Sequence, residues 1–153
     1  MDRLLPWVVF APLLGFLVNG ILGGRLSRSA SGLVGCLAAA AAFFAAWISV
    51  APVLADPRTS VVADLGTWIR LRGFEVSFCF IADRLSAVLI LIVTGVGALI
   101  HVYSLGYMSG DRSFPRFFAY LNLFLAAMGV LVLADNLLLM FVGWEGSASA
   151  RTS

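Results

Sequence analysis

The sequence predicts an all-α polytopic membrane protein with a small β-hairpin between its second and third helices. Apolar residues make up 61% of its 153 residues and charged residues only 12%, and the mean hydropathy is +1.02. Soluble domains carry about 25% charged residues, so this chain has too little polar surface to cover a soluble globule. Long uncharged runs hold most of the apolar residues, while one connection alternates polar with apolar residues. The composition therefore excludes a soluble enzyme, a nucleic-acid-binding protein and a disordered tail.

Four apolar runs are long enough to be complete transmembrane helices. About 20 residues at ~1.5 Å each cross a hydrocarbon core of roughly 30 Å. The complete spans are expected at residues 4–22, 32–54, 85–107 and 117–133. A fifth helix is expected to begin at residue 136 and to be truncated after residue 146, where a small polar tail, 147–153, follows. A cleaved signal peptide is not expected, because the first run is too long and its start carries no net positive charge.

The longest connection is predicted to form a β-hairpin at about residues 66–81, outside the bilayer core. Apolar and polar residues alternate with period two on both sides of Arg72 and Gly73, which is typical of two strands joined by a tight turn. An irregular amphipathic loop on the membrane surface is the alternative. Asp83 follows the hairpin, where the N-cap of the third helix belongs.

The distribution of arginine favours one orientation of the chain. All ten cationic residues are arginine, and Arg3 with the four arginines of the long connection is nearly balanced by the four arginines of the two short turns. The short turns carry net positive charge, whereas the long connection balances its arginines with acidic residues. This favours short turns on the inside and the hairpin on the outside.

Glu145 is the strongest candidate for chemistry. If the fifth helix starts near residue 136, Glu145 lies about 13 Å along it, close to the bilayer midplane. A carboxylate at that depth costs roughly 2.5–3.5 kcal/mol on insertion scales, so it needs a partner, a water-filled cavity or a proton. Desolvation favours the protonated form of such a group and a nearby cation favours its charged form, so the group can accept and release protons, as a proton relay requires. The alternative is that this stretch does not insert, which leaves Glu145 at the surface of a frayed end.

Two further polar residues lie inside predicted spans. His101 in the third span has a side chain that titrates near neutral pH and is a possible second relay group; the alternative is a neutral residue that hydrogen-bonds between packed helices. Asn122 in the fourth span is interpreted as a hydrogen-bonding contact between helices rather than a transport residue. Cys36 and Cys79 share no metal-ligand spacing, so no metal or haem site is expected on this chain.

Several segments resemble a known family. The stretches 116–124 and 131–140 and the motif Gly143-Trp144-Glu145-Gly146 resemble the largest antiporter-like subunits of respiratory complex I, which in bacteria are the L subunits of NADH-quinone oxidoreductase. The stretches 83–86 and 101–108 are similar to family segments in the same order. Residues 1–146 would then be the N-terminal membrane region of such a subunit.

The resemblance implies a subunit that couples quinone reduction elsewhere in the complex to proton translocation. NADH, FMN, iron–sulfur clusters and quinone belong to other subunits, so no cofactor is expected on this chain. Its partners would be other membrane-arm subunits and the lipid bilayer, with no nucleic acid. The location would be the bacterial inner membrane, with the N-terminus and the hairpin in the periplasm. Glu145 matches the family's membrane-embedded glutamate, which pairs with a lysine on a later helix; this sequence contains no lysine.

The sequence departs from the family pattern after Gly146. The family continues with an apolar run, whereas this chain continues with small polar residues, as expected for a truncated or frameshifted reading frame. Three alternatives follow. The first is a non-catalytic truncated membrane protein, and the second is a subunit of a related sodium/proton antiporter. The third is a small channel or assembly factor, which would need a homo-oligomer to enclose its polar groups.

Overall fold

The computed structural model describes residues 3–56, 58–71, 74–135 and 137–152, which form a mostly helical fold with a two-stranded sheet. The elements in chain order are α1 (Trp7–Leu22), α2 (Arg28–Ala55), β1 (Val61–Leu71), β2 (Phe74–Ala82), α3 (Arg84–Tyr107), α4 (Phe114–Leu133) and α5 (Leu137–Thr152). Helix α4 contacts α1, α2, α3 and α5, so it lies at the centre of the bundle.

Three of the described helices are long and apolar enough to cross a membrane: α2, α3 and α4. The prediction of four complete spans is therefore not confirmed. Helix α1 has only 16 residues, because the chain enters it through a turn rather than at the predicted residue 4. The Trp7 N–H donates to the Leu4 carbonyl at 3.0 Å in that turn, and Pro6 precedes the first helical residue.

The fifth helix does not end where the sequence predicts. The expected end at residue 146 is too early, since α5 continues to Thr152; residue 136, its expected start, lies outside the described residues. The hydroxyls of this stretch bond to the helix itself: Ser147 donates to the Trp144 carbonyl at 2.8 Å, and Thr152 to the Ala148 carbonyl at 3.3 Å. Small residues that satisfy their own hydroxyls are compatible with a helix, and composition alone did not reveal this.

The predicted hairpin is confirmed as an antiparallel pair, and the alternative of an irregular loop is wrong. The pair Leu71–Phe74 closes it, and residues 72 and 73, the predicted turn, lie outside the described residues. Pairing extends beyond the expected 66–81 to Val61–Ala82. The sequence hides this extension because the register shifts between Asp64 and Thr67. There Gly66 adopts φ +106° and its N–H donates to Asp64 Oδ1 at 2.8 Å, which interrupts the alternation.

The hairpin covers the end of the bundle at which α4 ends and α5 begins. Phe80 is fully buried and pairs with Ala134, and the Asp135 N–H donates to the Cys79 carbonyl at 3.3 Å. Phe10, near the start of α1, lines one groove with hairpin residues. The start of α1 and the hairpin therefore lie at the same end of the bundle.

Small residues allow α2 to approach its neighbours closely. A Cβ added to Gly35 would lie 2.5 Å from Cδ1 of Phe118 on α4. One turn before Gly35, on the same face of α2, Ser31 forms a reciprocal pair with Asn19 of α1. Ser31 Oγ donates to Asn19 Oδ1 at 2.9 Å, and Asn19 Nδ2 donates to the Ser31 carbonyl at 3.2 Å. Both residues are buried, so the polar groups of this contact satisfy each other without water.

Candidate functional site

Helix α5 carries Glu145 and is fixed against α4 by two glycines. A Cβ added to Gly143 would lie 2.7 Å from the Leu131 nitrogen and 2.9 Å from the Ala127 carbonyl oxygen. A Cβ on Gly146 would lie 3.2 Å from the Ala127 Cβ. Glycines three residues apart share one face of a helix, so this face of α5 lies directly on the α4 backbone.

Glu145 lies on the opposite side of α5. It is the ninth residue of the helix, which places it about 12 Å from the start and near the helix midpoint. Both Glu145 and its neighbour Trp144 are exposed at the surface of the described chain. The structure thus places Glu145 within a continuous helix, on the face that α4 leaves uncovered.

The carboxylate of Glu145 has no partner within the described part of the chain, where it makes neither a hydrogen bond nor an ion pair. A carboxylate on an apolar helix that is immersed in lipid requires a counter-charge, water or a proton. Chemically, such a group can bind a proton and release it when a cation approaches. Whatever stabilises Glu145 in a membrane must therefore come from outside the described residues.

His101 is placed differently from Glu145. Its side chain is fully buried between α3 and α4, with Nδ1 at 2.7 Å from the Gly97 carbonyl oxygen and its ring centroid 6.0 Å from that of Phe118. Helices α3 and α5 each contact α4, and the structure does not join His101 and Glu145 in one hydrogen-bonded cluster. The relay role of His101 remains a prediction.

Asn122 contacts more elements than the sequence indicates. It is fully buried, and its Nδ2 donates to the Phe118 carbonyl at 3.0 Å on its own helix. A Cβ on Gly15 or on Gly35 would lie within about 3.2 Å of its amide group, so it packs against α1 and α2 as well. Its side chain also interacts with the His101 ring. Sequence reasoning found both residues but could not bring them together, since they belong to different helices.

No metal-ligand cluster occurs among the described residues: none of their His, Cys, Asp and Glu side chains form a group of three or more that could hold an ion. Cys36 and Cys79 are both free thiols. Cys79 lies in the hairpin, where burial raises the pKa of its thiol, and the nearby carboxylates of Asp135 and Asp64 raise it further. Such a thiol is a weak nucleophile near neutral pH.

The fold and the site define a class of protein. A helical bundle in which three of the described helices are long and apolar enough to span a membrane indicates a polytopic membrane protein. A carboxylate midway along another helix and a buried His–Asn contact are its candidate functional groups.

Comparison with known proteins shows what the chain is similar to. The family described as NADH-Ubiquinone oxidoreductase (complex I), chain 5 N-terminus, matches residues 68–118. NADH-quinone oxidoreductase subunit L of Escherichia coli (strain K12) is 43% identical over 145 residues, covering 94% of this chain and 24% of the relative. Subunit L of Mycobacterium tuberculosis (strain H37Rv) is also 43% identical, covering 92% of this chain and 22% of the relative.

Relatives named chain 5 rather than subunit L are similar too. NADH-ubiquinone oxidoreductase chain 5 of Hypocrea jecorina is 37% identical over 139 residues, covering 91% of this chain and 20% of the relative. The chain spans about a quarter or less of the length of these curated relatives. Together the matches support the predicted resemblance: the chain is similar to the N-terminal part of the subunit L and chain 5 family.

Proposed function

We propose that this chain is the N-terminal part of a membrane-arm subunit of NADH-quinone oxidoreductase, and that it takes part in proton translocation. The observation that carries the proposal is the position of Glu145: midway along α5, inside the Gly143–Gly146 motif, on the face that α4 leaves uncovered. The resemblance of that motif to the family, and the 43% identity to two bacterial L subunits, support the same interpretation.

In this proposal Glu145 is a proton-relay carboxylate. Lipid disfavours the charged form, and a nearby cation favours it, so a change in the distance of that cation loads or unloads a proton. The family resemblance implies a lysine on a later helix as this cation. This chain contains no lysine, so the cation would come from outside it. His101 is a second candidate in the same function, as a relay group or as a packing residue.

The membrane arrangement follows from the bundle. We propose that α1 and α5 join α2, α3 and α4 in crossing the bilayer, which gives four complete helices and a fifth that begins in this chain. The N-terminus and the hairpin would lie on the periplasmic side of a bacterial inner membrane. The position of the start of α1 and the hairpin at one end of the bundle supports a common side for both. NADH, FMN, iron–sulfur clusters and quinone would be bound by other subunits, and the membrane-arm subunits would be the partners.

The experiment that tests the proposal is a Glu145→Gln substitution in the assembled complex. The amide keeps the size and hydrogen bonding of the side chain but cannot carry a proton. We expect proton pumping into vesicles to fall strongly while NADH oxidation by an artificial electron acceptor continues, since that reaction needs only the other subunits. Asp111→Asn is the matched control, because Asp111 is exposed in the turn between α3 and α4 and should leave pumping unchanged. Unchanged pumping in Glu145→Gln would contradict the relay role.

A second candidate function is a membrane protein that packs helices but transports nothing. The observation that favours it is the lack of any partner for Glu145 within the described residues. It is tested by expressing the 153-residue chain in a strain that lacks the full-length subunit. The second candidate predicts that pumping stays absent although the chain is found in the membrane. Restored pumping would exclude it.

A further inference from the structure

The interface between α3 and α4 contains two buried polar atoms that no protein group satisfies. His101 and Asn122 are both fully buried, and neither His101 Nε2 nor Asn122 Oδ1 has a hydrogen-bond partner. Among the described residues only one other buried side-chain atom lacks a partner, the Ser49 hydroxyl. Two of these three unsatisfied atoms therefore belong to one contact, which points to a common cause.

The hydrogen bonds around the two residues decide which groups can donate. The Gly97 carbonyl lies 2.7 Å from His101 Nδ1, and a carbonyl only accepts, so Nδ1 carries the proton. Nε2 of the neutral ring is then an acceptor. On the other side, Asn122 Nδ2 donates to the Phe118 carbonyl at 3.0 Å, which orients the amide and leaves Oδ1 as an acceptor as well.

The contact therefore joins two acceptors. The Asn122 side chain lies close enough to accept a hydrogen bond from a doubly protonated His101 ring, whereas with the neutral ring both atoms are acceptors and cannot bond to each other. A buried acceptor without a donor destabilises the fold, because folding removes its hydrogen bonds to water and no hydrogen bond within the protein replaces them. The Asn19–Ser31 pair between α1 and α2 shows the contrast, since there each residue donates to the other.

We propose that His101 and Asn122 hold one water molecule, which donates one O–H to Nε2 and the other to Oδ1. Water is the smallest neutral molecule with two donors, and buried waters serve such otherwise unsatisfied groups. A cavity of about 270 Å³ lies along the same interface on the His101 side of the contact, lined by Gly97, His101 and Leu125, among others. This site does not depend on Glu145, so its failure would be distinguishable from a failure of the proposed function.

The chain offers an unusually clean way to observe the site, because His101 is its single histidine. The protein is labelled with ¹⁵N-histidine, reconstituted in lipid bilayers and studied by solid-state NMR at neutral pH. We expect a neutral ring with Nδ1 protonated, a hydrogen-bonded Nε2 resonance and magnetisation transfer from water to the ring. Three results would each overturn the proposal: a proton on Nε2 alone, a doubly protonated imidazolium, or a ring without transfer from water.

Two variants test whether Asn122 provides the second contact. Asn122→Leu replaces the amide by an apolar group of similar size, so transfer from water to the ring should fall several-fold while Nδ1 stays protonated. Thr94→Val on α3 is the matched control, since the Thr94 hydroxyl is buried but bonds to the Ile90 carbonyl of its own helix; transfer should be unchanged. Undiminished transfer in Asn122→Leu would overturn the shared site. If that variant does not fold, the wild-type spectra still decide between a bound water and none.

Discussion

Gly143 on α5 lies so close to Leu131 on α4 that an added Cβ would be 2.7 Å from the Leu131 backbone nitrogen. Only a residue without a side chain allows this approach. The contact fixes which face of α5 is turned towards the bundle, and Gly146 continues that face. Glu145 is placed on the outside as a consequence, where groups beyond the described residues can reach it.

Replacing Gly143 by alanine should therefore destabilise the bundle. The new methyl group would press against backbone atoms of α4 that cannot move aside, and overpacking of this kind costs about 1–3 kcal/mol. Gly106→Ala is the matched control, because Gly106 lies in α3 with nothing within 4 Å of an added Cβ, and alanine favours helices. Thermal unfolding in detergent micelles measures both variants. A melting temperature of Gly143→Ala equal to that of the wild type would show that α5 does not pack on α4 through Gly143.

Asp83 should stabilise the start of α3 in a pH-dependent way. Its Oδ1 accepts the Ser86 N–H at 2.7 Å, and hydrogen bonds from Ser86 hold the pKa of this carboxyl below its usual value of 3.8. A lowered pKa means that the stabilisation is present above pH 3.8 and is lost as the pH falls through the pKa of the folded state. Asp83→Ala should cost about 0.5–2 kcal/mol at neutral pH.

Asp83→Asn separates the cap from the charge. Asparagine also caps helices well, so this variant should keep most of the stability at pH 7. The difference between wild type and Asp83→Asn should shrink as the pH is lowered below 4, because the wild-type carboxyl becomes neutral. Unfolding followed by circular dichroism over this pH range measures it. A cost of Asp83→Ala that is the same at pH 3 and pH 7 would show that the charge of Asp83 adds nothing to the cap, and no cost at either pH would contradict the capping role.

The thiol of Cys79 should react slowly with alkylating reagents. Burial, with the charges of Asp135 and Asp64, raises its pKa, and the thiolate is the reactive form. In a Cys36→Ser background, we expect alkylation at pH 7 to be much slower than for a free thiol, and to accelerate as the pH rises. Asp135→Asn should speed it only modestly, because burial is the larger cause. A rate close to that of free cysteine at pH 7 would show that the hairpin does not cover this thiol.

The sequence predicted the elements well where one pattern covers a whole element. Uncharged runs placed the central helices to within a few residues, and the alternation of residues 66–81 placed the hairpin, since strict period two is typical of a strand with one buried face. The prediction was incomplete where a local bond interrupts a pattern: the Asp64–Gly66 turn hid the first part of β1. It ended α5 too early because Ser147 and Thr152 satisfy their hydroxyls within the helix.

The candidate site was predicted residue by residue but not as an arrangement. Glu145 and His101 stand out because titratable side chains are rare in apolar runs. Their surroundings depend on which helices meet, and a single sequence does not encode that directly. Only the folded structure shows that His101 lies against Asn122 and that Gly143 packs directly on the backbone of α4.

The most direct test of the central claim is the reactivity of the native Glu145 carboxyl in the assembled complex. A water-soluble carbodiimide with an amine labels accessible carboxyls, and mass spectrometry quantifies labelling at Glu145 and at the exposed control Asp111. We predict that Asp111 is labelled readily, whereas Glu145 is protected at rest and changes its reactivity during NADH turnover. Labelling of Glu145 as rapid as that of Asp111, with no dependence on turnover, would contradict the relay role.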